Sequence, residues 1–234
     1  MTKFSYDQSL PSLRVTKDLL ESLESYLAQR IATSCSLTVD EARKLLSITI
    51  EDNLGTEHFS SVNQFHTTRF SDSTKRVVVE IGAHSEGVRL QLRLQFSRGR
   101  MLSSMSISAT APNSRELVAG LKDGILRVLE PCRTWHWICN PSAEMWGALI
   151  AIFLVLVFLQ WKLDASHPVS SAVSIGIFIL WLLGVLPYLR PYMVFDSRVS
   201  ERSDKIWNWF FTGLMTFLVF GTLFVLIREG VLGF

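Results

Sequence analysis

The chain has 234 residues, of which 48% are hydrophobic and 19% are charged, and its formal net charge is +2. A mean hydropathy of +0.27 is high for a globular protein and argues against a wholly soluble one. The small net charge gives no reason to expect a nucleic-acid partner. Three cysteines, at positions 35, 132 and 139, are too few for a disulfide framework and favour a reducing compartment.

The apolar excess lies in the C-terminal part of the chain. All seven tryptophans follow position 134, and charged residues become sparse after position 142. The N-terminus has no apolar stretch of the kind found in signal peptides, and Thr2 stands where N-myristoylation requires glycine. The sequence therefore predicts a soluble domain over 1–130, a juxtamembrane linker over 131–142 and a transmembrane domain over 143–234.

The soluble part contains two helical patterns and four strand patterns. Apolar residues at helical spacing predict a helix over 13–31, and a second helix follows Asn113, whose spacing to Glu116 fits a capping box. The expected fold is α+β, an antiparallel sheet of about four strands with two helices on its apolar face. Strands are predicted at 45–51, 75–81, 88–96 and 101–109, with no structure assigned to 52–72.

The polar face of this sheet carries the candidate binding residues. Nothing in the sequence supplies a layer to cover it, and antiparallel sheets often leave one face solvated. Two arginines flanked by amides and hydroxyls can instead hold a phosphate-rich ligand, such as a nucleotide, or an acidic partner, and an oligomeric contact is a third use. Stacking aromatics of the kind that bind single-stranded nucleic acid are missing. The candidates are Arg89, Gln91, Arg93, Gln95, Ser104 and Ser106.

No pattern makes a positive case for an enzyme, a cofactor or a metal site. Residues 83–87 resemble a nucleophile elbow, but they lie in a strand-to-strand turn where that motif needs a strand followed by a helix. Cys132, His136 and Cys139 would share one face of a helix, as zinc ligands or palmitoylation sites, yet a closed zinc site needs a fourth ligand. An interfacial linker explains the same residues.

Three uncharged stretches predict transmembrane helices near 145–161, 168–189 and 206–227. The two longer stretches reach about 33 Å as helices, which is enough to cross the hydrocarbon core. The first reaches only about 25 Å, so a re-entrant or interfacial segment is the alternative there. Tryptophans lie at both ends of the first stretch and at the start of the third, as expected at headgroup depth.

The loops between the spans give the expected orientation. The loop at 163–167 has only Lys162 at its edge, whereas the loop at 190–205 carries four basic residues. With three spans, the second loop lies on the same side as the soluble domain, and the positive-inside rule places both in the cytoplasm. We therefore expect a multi-pass protein of the inner (plasma) membrane with its C-terminus outside.

The third predicted span has a polar stripe. Asn208, Thr212 and Thr216 follow one another at intervals of four residues, with Gly213 and Gly221 beside them. Small and hydroxyl-bearing residues at this spacing allow helices to pack closely in lipid. Packing within or between subunits is favoured over a pore lining, because no charge within the spans marks an ion path.

These features predict a homo-oligomeric membrane protein whose cytosolic domain binds a partner or an anionic ligand, such as a nucleotide or a nucleic acid, and controls the transmembrane bundle. A pore-forming, channel-like protein is the more specific form of this hypothesis. A scaffold or accessory subunit that docks a cytosolic protein without gating is the alternative. By layout alone the chain is similar to small membrane effectors of bacterial antiviral defence, in which a cytosolic sensor precedes a short bundle of spans. No specific residue carries that similarity.

Overall fold

A computed structural model describes residues 2–85, 87–137, 140, 142–162 and 191–209, together with eight single positions between 173 and 220. The architecture is α+β, as the sequence predicts, with a six-stranded antiparallel sheet and helices packed against it. The strands are β1 (Thr2–Ser9), β2 (Arg14–Val15), β3 (Leu46–Glu51), β4 (Thr56–Phe59), β5 (Arg76–Ser85), β6 (Val88–Ser97), β7 (Ser104–Ala111) and β8 (Val194–Phe195). The helices with given bounds are α1 (Lys17–Cys35), α2 (Val39–Lys44), α3 (Ser114–Leu129) and α4 (Ala143–Lys162), and residues 198–209 are also helical.

The six strands lie in the order β1-β7-β6-β5-β3-β4, and β2 and β8 form a separate parallel pair. Strand β6 shows why one face of the sheet is buried. Its side chains at 90, 92, 94 and 96 are buried in the core, whereas Arg89, Gln91 and Arg93 are exposed. This strict alternation fixes the pairing register, because a shift by one residue would place the arginines in the core.

Helices α1 and α3 cover the apolar face. Thr16 caps α1 by accepting a hydrogen bond from the Leu19 amide, and Ser36 ends the helix in a left-handed conformation with φ 55°. Helix α3 places Val118, Leu121, Ile125 and Leu129 in the core at helical spacing. The apolar stripes of both helices therefore close the core against the sheet.

The sheet has two more strands than the sequence predicts. Strand β1 lies in a segment with only two large apolar residues, Phe4 and Tyr6, so its alternation is weak. Strand β4 lies inside the segment 52–72, where it pairs as an edge strand with β3. Helix α1 also begins later than predicted, because Arg14 and Val15 form a strand with β8 instead of a helical turn. At α3, Asn113 precedes the helix but its side chain makes no capping hydrogen bond.

Helix α4 contains the first predicted span. Its 20 residues would reach about 30 Å, and its apolar side chains are largely exposed. It is the one helix among the described residues that is long and apolar enough to cross a membrane. The other two predicted spans, at 168–189 and 206–227, lie mostly outside the described residues, so the structure does not establish a three-helix bundle.

We predict that Gly124→Ala lowers the stability of the domain, although alanine favours helices by about 1 kcal/mol over glycine. A Cβ at this position of α3 would overlap the phenol ring of Tyr26, whose hydroxyl donates to the Gly120 carbonyl at 3.3 Å. Thermal unfolding followed by circular dichroism in detergent measures the change. Gly82→Ala is the control, since its Cβ would have no neighbour within 4 Å, and equal unfolding midpoints for both variants would contradict the prediction.

Candidate functional site

Residues 191–197, here called the docked segment, are built into the N-terminal domain even though they follow α4 in the chain. Tyr192, Met193 and Phe195 belong to the same hydrophobic core as α1, α3 and the sheet. Met193 has no exposed surface at all. The domain is therefore assembled from two separate stretches of chain, 2–137 and 191–197.

The docked segment is also held through its backbone. Strand β8 pairs in parallel with β2, so alternate amides of the segment donate to carbonyls of the domain. Such bonds satisfy backbone groups that would otherwise be buried without partners. The amide of Phe70 donates in turn to the Asp196 carbonyl at 3.0 Å. Three amides of the segment donate to domain carbonyls: Tyr192 to Arg98 (2.8 Å), Val194 to Leu13 (3.0 Å) and Asp196 to Val15 (2.9 Å).

Tyr192 anchors the start of the segment. Its side chain is only 4% exposed, and its hydroxyl donates to the Leu10 carbonyl at 2.8 Å. The guanidinium of Arg100 lies 5.7 Å from the centre of the ring. Burial raises the pKa of Tyr192, so the phenol keeps the proton with which it bonds Leu10.

Charged pairs tie the domain to the helix that follows the docked segment, over 198–209. Arg14 of β2 contacts Asp204 at 3.0 Å and Asp196 at 3.8 Å. Arg69 contacts Glu201 at 2.9 Å. Each pair is partly exposed and adds little stability by itself, but together the pairs fix where the helix leaves the domain.

The same helix begins with a capping arrangement. Ser197 is 4% exposed, and its hydroxyl accepts a hydrogen bond from the Ser200 amide at 3.2 Å. Asp72 of the domain accepts a hydrogen bond from the Val199 amide at 3.1 Å. That bond, assisted by the Ser197 hydroxyl, lowers the pKa of Asp72. A carboxylate at a helix N-terminus also complements the helix dipole.

The linker before α4 is fixed to the same region. Two hydrogen bonds join Ser12 and Thr134. The Ser12 hydroxyl donates to the Thr134 carbonyl at 2.6 Å, and the Thr134 amide donates to the Ser12 carbonyl at 2.9 Å. His136 Nδ1 lies 3.0 Å from the Pro191 carbonyl oxygen. The linker forms two 3-10 turns, Glu130–Cys132 and Trp135–Trp137, rather than one helix, and Cys139 lies outside the described residues.

The six candidate binding residues lie on the sheet face opposite the helices. They occupy neighbouring positions on β6 and β7, with Arg93 beside Ser106 and Gln95 beside Ser104. Beyond β7, strand β1 adds Lys3, Ser5, Asp7 and Ser9 to the same face. This surface, here called the open face, therefore spans the whole sheet without an aromatic side chain at its centre.

Charge is distributed unevenly on the open face. Arg93 Nε lies 3.3 Å from a carboxylate oxygen of Glu80, and Arg93 Nη2 donates to Gln95 at 3.4 Å. Arg89 has no ion pair among the described residues, and its cross-strand neighbours are His84 and Thr110. A shallow depression of about 380 Å³ beside Arg93 is lined by Glu80, Gln91 and Ser106 as well. An anion would meet the Glu80 carboxylate beside Arg93, whereas neither described cross-strand neighbour of Arg89 carries a carboxylate.

The histidines of segment 52–72 do not form a shared site. His58 Nδ1 bonds the Thr49 hydroxyl at 3.0 Å on the open face. His66 lines a separate cavity of about 770 Å³ together with Glu57, Arg69 and Asp72. Acidic and basic groups are mixed in this cavity, so it has no clear preference for a ligand of one charge.

The polar stripe of the third predicted span is only partly described. Asn208, Thr212, Gly213 and Thr216 are all helical and exposed. The Thr212 hydroxyl donates to the Asn208 carbonyl at 2.7 Å, which satisfies it within the helix. Gly221 lies outside the described residues.

The docked segment was missed by the sequence analysis, which placed 190–205 in a basic loop. One signal was available: the run Tyr192-Met-Val-Phe195 is apolar and lies between charged residues outside the spans. Four such residues cannot cross a bilayer, and an exposed loop would leave them in water. These four residues are therefore expected to be buried in the core of a folded domain.

Comparison with protein-family models, with curated proteins and with solved structures finds no significant match. The interpretation of this chain therefore depends on its own residues and geometry.

We predict that Tyr192→Phe destabilises the domain by about 1–3 kcal/mol, because the buried Leu10 carbonyl loses its hydroxyl partner. Tyr6→Phe is the matched control. It removes a hydroxyl that donates to Gln8 at an exposed site, and a change of a few tenths of a kcal/mol is expected. Chemical denaturation followed by circular dichroism compares the two, and equal losses would contradict a special role for Tyr192.

We predict that the stabilising effect of Asp72 depends on pH. The pKa of Asp72 is lowered in the folded protein, so its contribution is complete above the ordinary aspartate pKa of about 3.9. The contribution is lost as the pH falls through the folded-state value. Thermal unfolding of the wild type and of Asp72→Asn between pH 6 and pH 2.5 should show a stability difference that shrinks on acidification. A stability difference between the wild type and Asp72→Asn that stays constant with pH would contradict this prediction.

Proposed function

We propose that this chain is a self-associating integral membrane protein whose N-terminal domain lies in the cytoplasm, binds a partner protein or an anionic ligand, and controls the membrane part of the same chain. The observation that carries the proposal is the docked segment. This segment is part of the domain core, and in the sequence it lies between the second and third predicted spans. A movement of the domain would therefore move the chain that connects these two spans.

The path of the chain supports a multi-pass topology. Helix α4 starts at the domain and exposes apolar side chains along its length, while residues 191–197 are again part of the domain core. If α4 crosses the bilayer, the chain has to return between 163 and 190, which is where the second span is predicted. The helix over 198–209 then leaves the domain towards the third predicted span.

The basic residues near the docked segment support a cytoplasmic domain. Arg190, Arg198, Arg202 and Lys205 flank the docked segment in the sequence. Short loops rich in arginine and lysine are retained on the cytoplasmic side. Because the docked segment belongs to the domain, the same rule applies to the domain as a whole.

The contacts at the start of the 198–209 helix suggest how the two parts are coupled. Arg14, Arg69 and Asp72 each hold a different residue of its first turns, at 204, 201 and 199. Arg14 lies on β2, and Arg69 and Asp72 lie on the loop before β5. A shift of the domain would therefore move this helix as a rigid extension, as in switches that transmit small movements through packed elements.

The open face is the proposed binding surface of the domain. It is wide, uncovered and polar, and Arg89 provides guanidinium donors that no described carboxylate occupies. The mixed charge around Arg93 and Glu80 fits a protein surface with charges of both signs. The cationic side around Arg89 fits a phosphate or carboxylate group.

The exposed polar stripe of the third span supports self-association. Asn208, Thr212, Gly213 and Thr216 are exposed in the single chain. In lipid, small and polar residues at this spacing favour close helix–helix contact. Repetition of the stripe around a symmetry axis would give the channel-like form of the proposal, as in membrane effectors of bacterial defence.

We predict that the purified protein releases an entrapped dye from liposomes, and that Arg89→Glu with Arg93→Glu changes the rate of release by altering the open face. Arg115→Glu with Arg127→Glu is the matched control, with the same change in charge on exposed positions of α3. Thr212→Leu with Thr216→Leu tests the stripe and should lower the release. Release that is absent, or unaffected by every variant, would contradict the proposal.

The scaffold alternative is favoured by the mixed charge of the open face, and the same variants distinguish it. A scaffold predicts no dye release by the wild type. It also predicts that Arg89→Glu with Arg93→Glu abolishes co-purification of a cytosolic protein, whereas the α3 control variant retains it.

A further inference from the structure

We propose that the membrane-facing end of the N-terminal domain binds the phosphate groups of anionic phospholipids. The surface, here called the headgroup surface, consists of Arg100, Met101 and Leu102 from the β6–β7 turn and Arg133, Trp135 and Trp137 from the linker. This inference relies on the membrane attachment proposed above, and it adds a ligand class and a site.

Large apolar side chains are exposed at this end of the domain in a way that a soluble surface does not explain. Met101 is 84% exposed, Trp135 is 78% exposed and Trp137 is 53% exposed. Leu102 adds a fourth apolar side chain on the same turn as Met101. A cluster of exposed apolar residues marks an interaction surface, and tryptophan is the residue most typical of the membrane–water interface.

The two arginines line a cleft together with the two exposed tryptophans. The cleft has a volume of about 570 Å³, and it is lined by Arg100, Arg133, Trp135 and Trp137 together with Tyr192 of the docked segment. None of the residues that line it is acidic. Its chemistry is therefore cationic and aromatic, which suits a phosphodiester next to acyl chains.

Both guanidinium groups keep donors for a ligand. Arg100 uses Nη1 to donate to the Asn140 carbonyl at 2.8 Å. Arg133 uses Nη1 for both carboxylate oxygens of Glu130, at 3.0 Å, in an exposed pair that contributes little. The remaining N–H groups of a guanidinium can bind a phosphate through two parallel hydrogen bonds.

An unsatisfied hydroxyl adds a further polar group to the cleft. Thr134 lines the cleft, and its buried hydroxyl oxygen has no hydrogen-bond partner among the described residues. Buried polar atoms are rarely left without partners. A phosphate oxygen bound between the arginines would supply an acceptor near this hydroxyl.

The headgroup surface lies where the chain enters the predicted membrane helix. Trp137 precedes the start of α4 at Ala143 by six residues. Arg100 reaches this connection through its bond to Asn140. The surface therefore lies at the depth at which lipid phosphates meet the protein, and the exposed apolar residues beside it favour a lipid over a free phosphate.

Native mass spectrometry of the delipidated full-length protein in detergent tests the inference with three probes: phosphatidylglycerol, phosphatidylcholine and glycerol phosphate. The wild type should bind phosphatidylglycerol at least about tenfold more tightly than phosphatidylcholine. Arg100→Gln with Arg133→Gln should remove that preference. Arg115→Gln with Arg127→Gln, which removes the same charge from exposed positions of α3, should keep it.

Three results would overturn the inference: equal binding of both lipids by the wild type, equal losses in the two double variants, or glycerol phosphate binding as tight as that of phosphatidylglycerol. Should the Arg100 and Arg133 variant fail to fold, Met101→Glu replaces it. That exposed position is outside the core, and the added carboxylate should also lower phosphatidylglycerol binding. Dye release is measured on the same preparations. Release by a protein that shows no lipid preference would overturn this inference alone, whereas absence of release would count against the proposed function.

Discussion

Four consecutive residues, Tyr192 to Phe195, fill a gap in the N-terminal domain that the first 137 residues leave open. Strand β8 within this run pairs in parallel with β2, and the side chains of Tyr192, Met193 and Phe195 join the hydrophobic core of the domain. Hydrophobic burial and backbone hydrogen bonding act together here, so separating the segment from the domain would expose both apolar surface and unpaired amides. The positions of the linker and of the helix over 198–209 follow from this contact.

This arrangement leaves the domain with two chemically different surfaces. The open face presents polar and charged side chains away from the helices, whereas the turns and the linker near the docked segment present arginines and exposed tryptophans. The two surfaces share the strands β6 and β7, whose central residues form the open face and whose connecting turn carries Arg100. Under the proposed function, a shift at one surface would reach the other along these two strands.

The sequence predicted those parts of the fold that depend on local periodicity. Apolar and polar residues alternate along β6, and apolar residues recur at helical spacing in α3. Both elements, and the residues they expose, could therefore be predicted from the sequence. Strand β1 could not be predicted in this way, since its pairing with β7 depends on contacts between residues about a hundred positions apart. The docked segment was missed for the same reason: β8 consists of two residues, and its partner β2 lies about 180 positions earlier.

Hydrogen exchange of the full-length protein in lipid nanodiscs, resolved to the docked segment, tests the central claim most directly. The amides of Tyr192, Val194 and Asp196 all donate to carbonyls of the domain, and exchange of such buried bonds requires local opening. We expect their exchange to be as slow as that of the central strands β5 and β6. Exchange at the rate of an exposed loop, within seconds, would contradict the account, because the domain and the predicted membrane part would then be joined only by flexible chain.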